Sequence, residues 1–162
     1  MSTAARRPAA EDPFGLERFV HAQDGVHAQA LAELRAGRKR THWMWFVFPQ
    51  LAGLGLSPTA QHYGIRSLDA AQAYLRHPLL GPRLGACAHA LLDLHGRSAE
   101  AVFGYPDVLK LKSSMTLFAA VPEADAVFAA VLDRYYGGAR DPRTLRLLGL
   151  EDSRCCAARR AR

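Results

Sequence analysis

The chain has 162 residues, of which 49% are hydrophobic and 22% charged, with a mean hydropathy of −0.10. These are the values of one ordinary globular domain, long enough to bury roughly 70% of its unfolded surface, so no disulfide or metal is needed to hold it, and no apolar run approaches the ~20 residues of a membrane helix. The formal charge is +6, and 18 of the 21 basic residues are arginines; such a balance admits a polyanionic partner, although solvated faces and a basic tail account for the same charge.

Residues 1–11 are small, charged and aperiodic, which predicts a disordered tail. They contain no apolar segment of the kind a secretory signal requires. Asp12-Pro13 reads as a helix cap followed by proline at the first helical position, with Leu16, Phe19, Val20 and Gln23 at helical spacing behind it. A second helix is expected over about 26–36, with Ala28, Leu31 and Leu34 inward and Gly37 as its stop. The run from Thr41 to Gln50 follows a basic turn, Arg38-Lys39-Arg40. It holds both tryptophans and two of the seven phenylalanines, and large aromatics dominate core burial. Trp43–Phe48, the keel of the fold, fits a buried strand as well as a short helix; we read it as a helix because nothing else in the chain offers a strand partner, with His42 and Gln50 as polar residues pinned to a buried element.

Further helices are predicted from Ser57-Pro58 to Tyr63-Gly64, over 68–76 behind a Ser67 cap with Leu68, Ala71 and Leu75 on one face, and from Pro82 to about His95 with a Leu84, Cys87, Leu91, Leu94 stripe. Ser98 caps a short helix over 99–103. Pro106-Asp107 opens a helix to about Ala120 with Val108, Leu111, Met115 and Phe118 inward. The amphipathic pattern is cleanest over 123–136, where Val127, Phe128, Val131, Leu132 and Tyr135 repeat at helical spacing. Asp141-Pro142 repeats the cap-plus-proline start for a last helix to Leu148, and residues 151–162 read as a charged tail. Proline starts and glycine stops recur without strand alternation or internal repeat. The expectation is an all-α, single multi-helical domain over 12–150 with about eight to ten helices.

Phosphate-loop, dinucleotide, H-E-x-x-H and CxxC patterns are absent. The histidines show no ligand spacing, so no metal and no cofactor are expected. Cys87 reads as a small buried hydrophobe, while Cys155 and Cys156 are adjacent and bridge poorly. An odd cysteine count points to a reducing, cytoplasmic setting.

The segment from Asp107 carries the most chemistry. At ~100° per residue, Asp107, Lys110 and Ser114 fall along one edge of the buried stripe, and polar groups at such a border must find partners or cost about 1–3 kcal/mol each. Asp107 and Lys110 can satisfy each other at i,i+3. Alternatively they face His42 across a cleft and, with Ser114, hold an anionic or polar ligand. His42 has a ring that works as acid or base near neutrality, or it hydrogen-bonds within the core. Gln50 and Tyr63 can line the same cleft or serve as a loop amide and a packing ring. Trp43 and Trp45 can stack on a base or belong to the core, and Arg38, Lys39 and Arg40 can recruit phosphate or remain a solvated loop.

These residues carry a resemblance. Leu16–Gln23, Gly37–Gln50, Tyr63-Gly64-Ile65, and Phe103–Asp107 through Ser113–Phe118 resemble the small bacterial family called domain of unknown function 1810, whose members are sometimes mislabelled calpastatin. The resemblance spans about residues 13–150. It implies an all-helical single domain and implies no activity; the inhibitor label would require a disordered chain. Three function classes follow. In the first, His42, Gln50, Tyr63, Asp107, Lys110 and Ser114 line one cleft that binds or hydrolyses a small polar or nucleotide-like ligand, with Asp107 or His42 as general base. The second is a nucleic-acid binder using residues 38–40 and the arginine tail. The third is a non-catalytic interaction module.

Overall fold

The structure, a computed structural model, describes residues 12–150. The predicted tails at 1–11 and 151–162, with Cys155 and Cys156, lie outside the described residues. Ten helices make up the described fold: α1 (Glu17–Gln23), α2 (His27–Arg35), α3 (Met44–Val47), α4 (Pro58–His62), α5 (Leu68–Arg76), α6 (Leu80–Leu92), α7 (Ala99–Phe103), α8 (Asp107–Ala119), α9 (Val127–Tyr136) and α10 (Pro142–Leu148). The fold is all-α. One parallel bridge, Leu51 with Ile65, is the nearest approach to a sheet among the described residues.

Four of the ten helix starts follow the cap chemistry of the sequence. Ser57, Ser67, Ser98 and Asp141 each accept a hydrogen bond from the backbone N–H three residues on, which satisfies one of the four orphan donors of each N-terminus. Asp12 departs from this pattern. Residues 12–15 form a turn closed by Gly15 N–H to the Asp12 carbonyl, with Gly15 at φ +63°. The helix begins at Glu17, and the Asp12 carboxylate accepts from the N–H groups of Leu16 and Glu17 at 2.7 and 3.1 Å.

Two other boundaries differ from expectation. Helix α6 starts two residues before Pro82 rather than at it; a proline in the first turn forfeits no intrahelical bond, because the N–H groups there have no partner anyway. Helix α9 begins at Val127 rather than near Glu123. Glu123 has φ +62°, which breaks helical propagation, and the Asp125 carboxylate then caps Val127 N–H at 2.9 Å.

The core is a chain of rings. Trp43 and Phe48 are fully buried and both meet Phe103 edge-on, at 6.4 and 6.0 Å between centroids. A second row runs from Tyr63 through Phe19, Tyr74 and Phe118 to Phe128 at 5.2–5.9 Å spacings. Leu111, Met115, Leu117 and Phe118 of α8 belong to the same core, and α8 packs on α9. Arg18 ties α1 to the loop after α4, donating to the carbonyls of Phe14, Gly15, His62 and Gly64 at 2.7–2.9 Å.

Helix α2 faces the core differently from its apolar spacing. Ala30, Glu33 and Leu34 are buried, Ala28 is exposed and Leu31 is half-buried. The reason is Glu33. Its carboxylate accepts from Arg40 N–H at 2.5 Å, Thr41 N–H at 2.9 Å, Thr41 Oγ1–H at 2.6 Å and Trp43 Nε1–H at 3.1 Å. Burial by itself would raise this carboxyl, but the four hydrogen bonds outweigh it and bring it down to about 2. They fold the 36–43 loop back over α2 and deliver Trp43 into the core. A further bond, from Lys39 N–H to the Val102 carbonyl at 2.8 Å, fixes the loop against α7.

Two predictions follow from this packing. A Cβ on Gly81 would lie 2.1 Å from the Leu75 carbonyl oxygen, whereas one on Gly85 meets nothing within 4 Å. Gly81→Ala is therefore expected to destabilise by about 1–3 kcal/mol or more, and Gly85→Ala, in the same helix, to stabilise by about 0.5–1 kcal/mol; thermal unfolding of the two variants gives shifts of opposite sign. The depressed Glu33 carboxyl contributes stability that is present above its unfolded value near 4.5 and is lost as pH falls toward 2, on the order of 3 kcal/mol in all. Denaturant titrations between pH 6 and 2 should show a shallower loss for Glu33→Gln than for the parent chain. Equal slopes would remove Glu33 from this role.

Candidate functional site

The 36–43 loop held by Glu33 places Lys39 above the first turn of α8. Lys39 Nζ lies 2.9 Å from Asp107 Oδ2, and Lys110 Nζ lies 3.3 Å from Oδ1 of the same carboxylate. The Lys39 side chain is 8% exposed, so it is no solvated loop residue. Each ammonium also faces an indole, Lys39 over Trp43 at 5.2 Å and Lys110 over Trp45 at 5.0 Å. Two cations share one anion, which leaves one positive charge in excess. The aromatic faces supply the weak attraction of a cation–π contact, about 0.5–1 kcal/mol where water has access.

Trp45 is half-buried and borders this cluster. Its ring lies 6.4 Å from that of His42. His42 is exposed, which corrects the expectation of a histidine pinned to a buried element. It sits before the first residue of α3, and the buried side of that short helix is taken by Trp43, Met44, Val47 and Phe48. Four residues named above therefore share one neighbourhood: Asp107 and Lys110 directly, Trp45 through Lys110, and His42 through Trp45.

Ser114 sits further along the same edge of α8. It is fully buried, and its Oγ has no hydrogen-bond partner among the described residues. Tyr63 packs against Phe19, Phe46 and His62, at 5.8, 5.4 and 4.6 Å. Phe46 and Trp45 are neighbours on a short helix and leave it in different directions, so Tyr63 joins the Phe19 side of the keel. The Gln50 carbonyl accepts from Ile65 N–H at 2.8 Å within the Leu51–Ile65 bridge. Tyr63 thus packs where α1, α3 and α4 meet, and the Gln50 backbone belongs to the Leu51–Ile65 bridge.

Lys39 is the member that the sequence offered only as one of three basic loop residues, for phosphate or for solvent. Its sequence context is a plain basic turn, and only the Glu33 hydrogen bonds show why its side chain turns inward. An acidic residue five before a basic turn is too common a pattern to have signalled this.

Other polar groups have structural partners. Gln23 Nε2 donates to the Phe46 carbonyl at 2.7 Å and to Tyr74 Oη at 3.0 Å. Asp141 accepts from Ser113 Oγ at 3.2 Å and Thr144 Oγ1 at 2.5 Å, binding α10 to α8. Cys87 lies 3.7 Å from His27 Nε2, but burial pushes its thiol up to about 12, which makes it a poor nucleophile. Two clefts, of about 460 and 600 Å³, lie elsewhere: one among Phe14, Gln72 and Arg76, the other among Gly81, Gly85, His89 and Glu123. Among the described residues no group of three or more His, Cys, Asp or Glu side chains is placed to hold a metal ion, and no helix is long and apolar enough to cross a membrane.

Comparison with known proteins agrees with this architecture. The crystal structure of the conserved hypothetical protein Rv1873 from Mycobacterium tuberculosis, at 1.38 Å, is similar with a TM-score of 0.84 and 60% sequence identity, over 85% of this chain and 99% of that one. No match was found among the curated proteins. The family model described as protein of unknown function (DUF1810) matches residues 13–148, and the chain belongs to that family.

Proposed function

We propose that the Lys39–Asp107–Lys110 cluster and the Trp45 face bind a small anionic ligand that carries a planar ring, of nucleotide-like kind. The observation that carries this reading is the pair of ammonium groups on a single carboxylate beside a half-exposed indole. Neither lysine is fully neutralised by half a carboxylate, so an incoming phosphate or carboxylate completes the charge balance and can hydrogen-bond to both. Lys110 is the more accessible of the two, with its side chain 23% exposed against 8% for Lys39, and meets the anion first. The ring of the ligand then lies against Trp45, with the exposed His42 ring flanking it.

Binding suits this geometry better than hydrolysis. Both Asp107 oxygens are already engaged by ammonium groups, which commits the carboxylate to the role of counter-ion rather than to orienting a water molecule. His42 has the exposure of a surface residue and no carboxylate within ion-pair distance among the described residues to orient it. The proposed contact does not call on Gln50, Tyr63 or the fully buried Ser114.

Calorimetric titration with AMP and with pyrophosphate at low salt separates the parts. Trp45→Ala is expected to weaken AMP about tenfold, the effect of losing one base–aromatic stack, and to leave pyrophosphate unchanged. Lys110→Ala should weaken both. Asp107→Asn should tighten both, because it removes the competing anion. Absence of heat and of any thermal shift with either compound on the parent chain would defeat the reading.

A further inference from the structure

A group of exposed arginines lies next to this cluster along the chain. Arg35, Arg38 and Arg40 are exposed at the end of α2 and along the 36–43 loop. Arg97, exposed in the loop between α6 and α7, approaches the same place: its Cδ and Nε lie 2.9 Å from where a Cβ on Gly37 would stand. Gly37 has φ +81°, and it is this left-handed turn, free of a side chain, that lets the two loops meet. None of the four arginines has a carboxylate within 4 Å among the described residues. The nearby acidic groups are Glu33, which is consumed by its four donors, and the exposed Asp93 and Glu100 in the flanking segments.

Guanidinium forks match phosphate oxygens in pairs. An anionic membrane would also attract them, but surface-bound segments add apolar anchors to their charge. The large exposed apolar side chains, Leu56, Tyr105, Leu109, Leu147 and Leu150, belong to other segments than this arginine strip. What does border the strip is aromatic: His42 is exposed two residues after Arg40, and the half-buried Trp45 follows. Cationic side chains along a loop that leads to a stacking ring are the elements of a site for single-stranded nucleic acid.

We infer that Arg35, Arg38, Arg40 and Arg97 hold the phosphate backbone of a single-stranded nucleic acid, one base of which reaches Trp45. The inference rests on the nucleotide-like reading of the Trp45 site and extends it from one nucleotide to a strand. A duplex does not fit this arrangement, since its bases are already stacked on one another and offer no free face to the indole.

Fluorescence anisotropy with a labelled 12-nucleotide oligo(U), a labelled 12-base-pair duplex and, by competition and calorimetry, AMP tests this. The strand should bind more tightly than either AMP or the duplex, with an affinity that falls steeply with salt. The Arg38→Ala, Arg40→Ala, Arg97→Ala triple variant should lose at least about tenfold in strand affinity at low salt and about two units of salt slope, with AMP affinity unchanged. These are exposed side chains, and an unchanged unfolding midpoint will confirm that the variant is folded. AMP binding as tightly as the strand, or a triple variant that binds the strand like the parent, would overturn the arginine strip while leaving the Trp45 site standing. Tighter binding of the duplex would overturn the strand. Strand binding that survives Trp45→Ala, on a chain that ignores AMP, would remove the Trp45 site and with it the path of the strand proposed here.

Discussion

A carboxylate taken into a protein interior must be met by donors, or its desolvation goes uncompensated. Glu33 is met by four, and all come from one short stretch: two backbone N–H groups, a hydroxyl and an indole N–H between residues 40 and 43. The consequence reaches beyond that stretch. Binding Trp43 through its ring nitrogen sets the indole tilted against Phe48 and edge-to-face with Phe103, and this seats the aromatic keel. Binding Arg40 and Thr41 through the backbone turns the preceding residue, Lys39, toward α8. The innermost packing and the most charged corner of the molecule are therefore two ends of one hydrogen-bonded loop.

Helix α8 is the other partner in that arrangement, and it serves two environments at once. Leu111, Met115, Leu117 and Phe118 are fully buried among the other helices, while Asp107 and Lys110 stay at the border where water still reaches. The border explains why opposite charges persist there. A fully buried triad of this kind would be expensive to desolvate, and a fully exposed one would be worth little. At intermediate depth, with indoles beneath the ammonium groups, the ions stay organised without being sealed. An organised but accessible cluster with surplus charge is the condition for ligand recognition.

The Gly37 turn links this corner to the arginines. It closes α2, lets the α6–α7 loop approach, and so gathers basic residues from two distant parts of the chain. The loop backbone is held by bonds to Glu33 and to Val102, which keeps those charges together in spite of their mutual repulsion.

The sequence by itself determined the helical class, most of the caps and stops, and the buried stripes of α6, α8 and α9, because these depend on interactions within three or four residues along the chain. It also singled out the Trp43–Phe48 run and the Asp107, Lys110 edge, since aromatic density and polar residues at a stripe border can both be seen without coordinates. Tertiary structure decided the rest. Which side of α2 turned inward depended on donors seven to ten residues away, and these overrode the apolar period of Ala28, Leu31 and Leu34. Exposure of His42 followed from how the Trp43–Phe48 run seats its four buried residues, and the place of Tyr63 against Phe19 and Phe46 followed from how α1, α3 and α4 meet. Lys39 entered the cluster only through the fold of its loop. In each case the deciding contact joins residues remote along the chain, and local spacing carries no information about such partners.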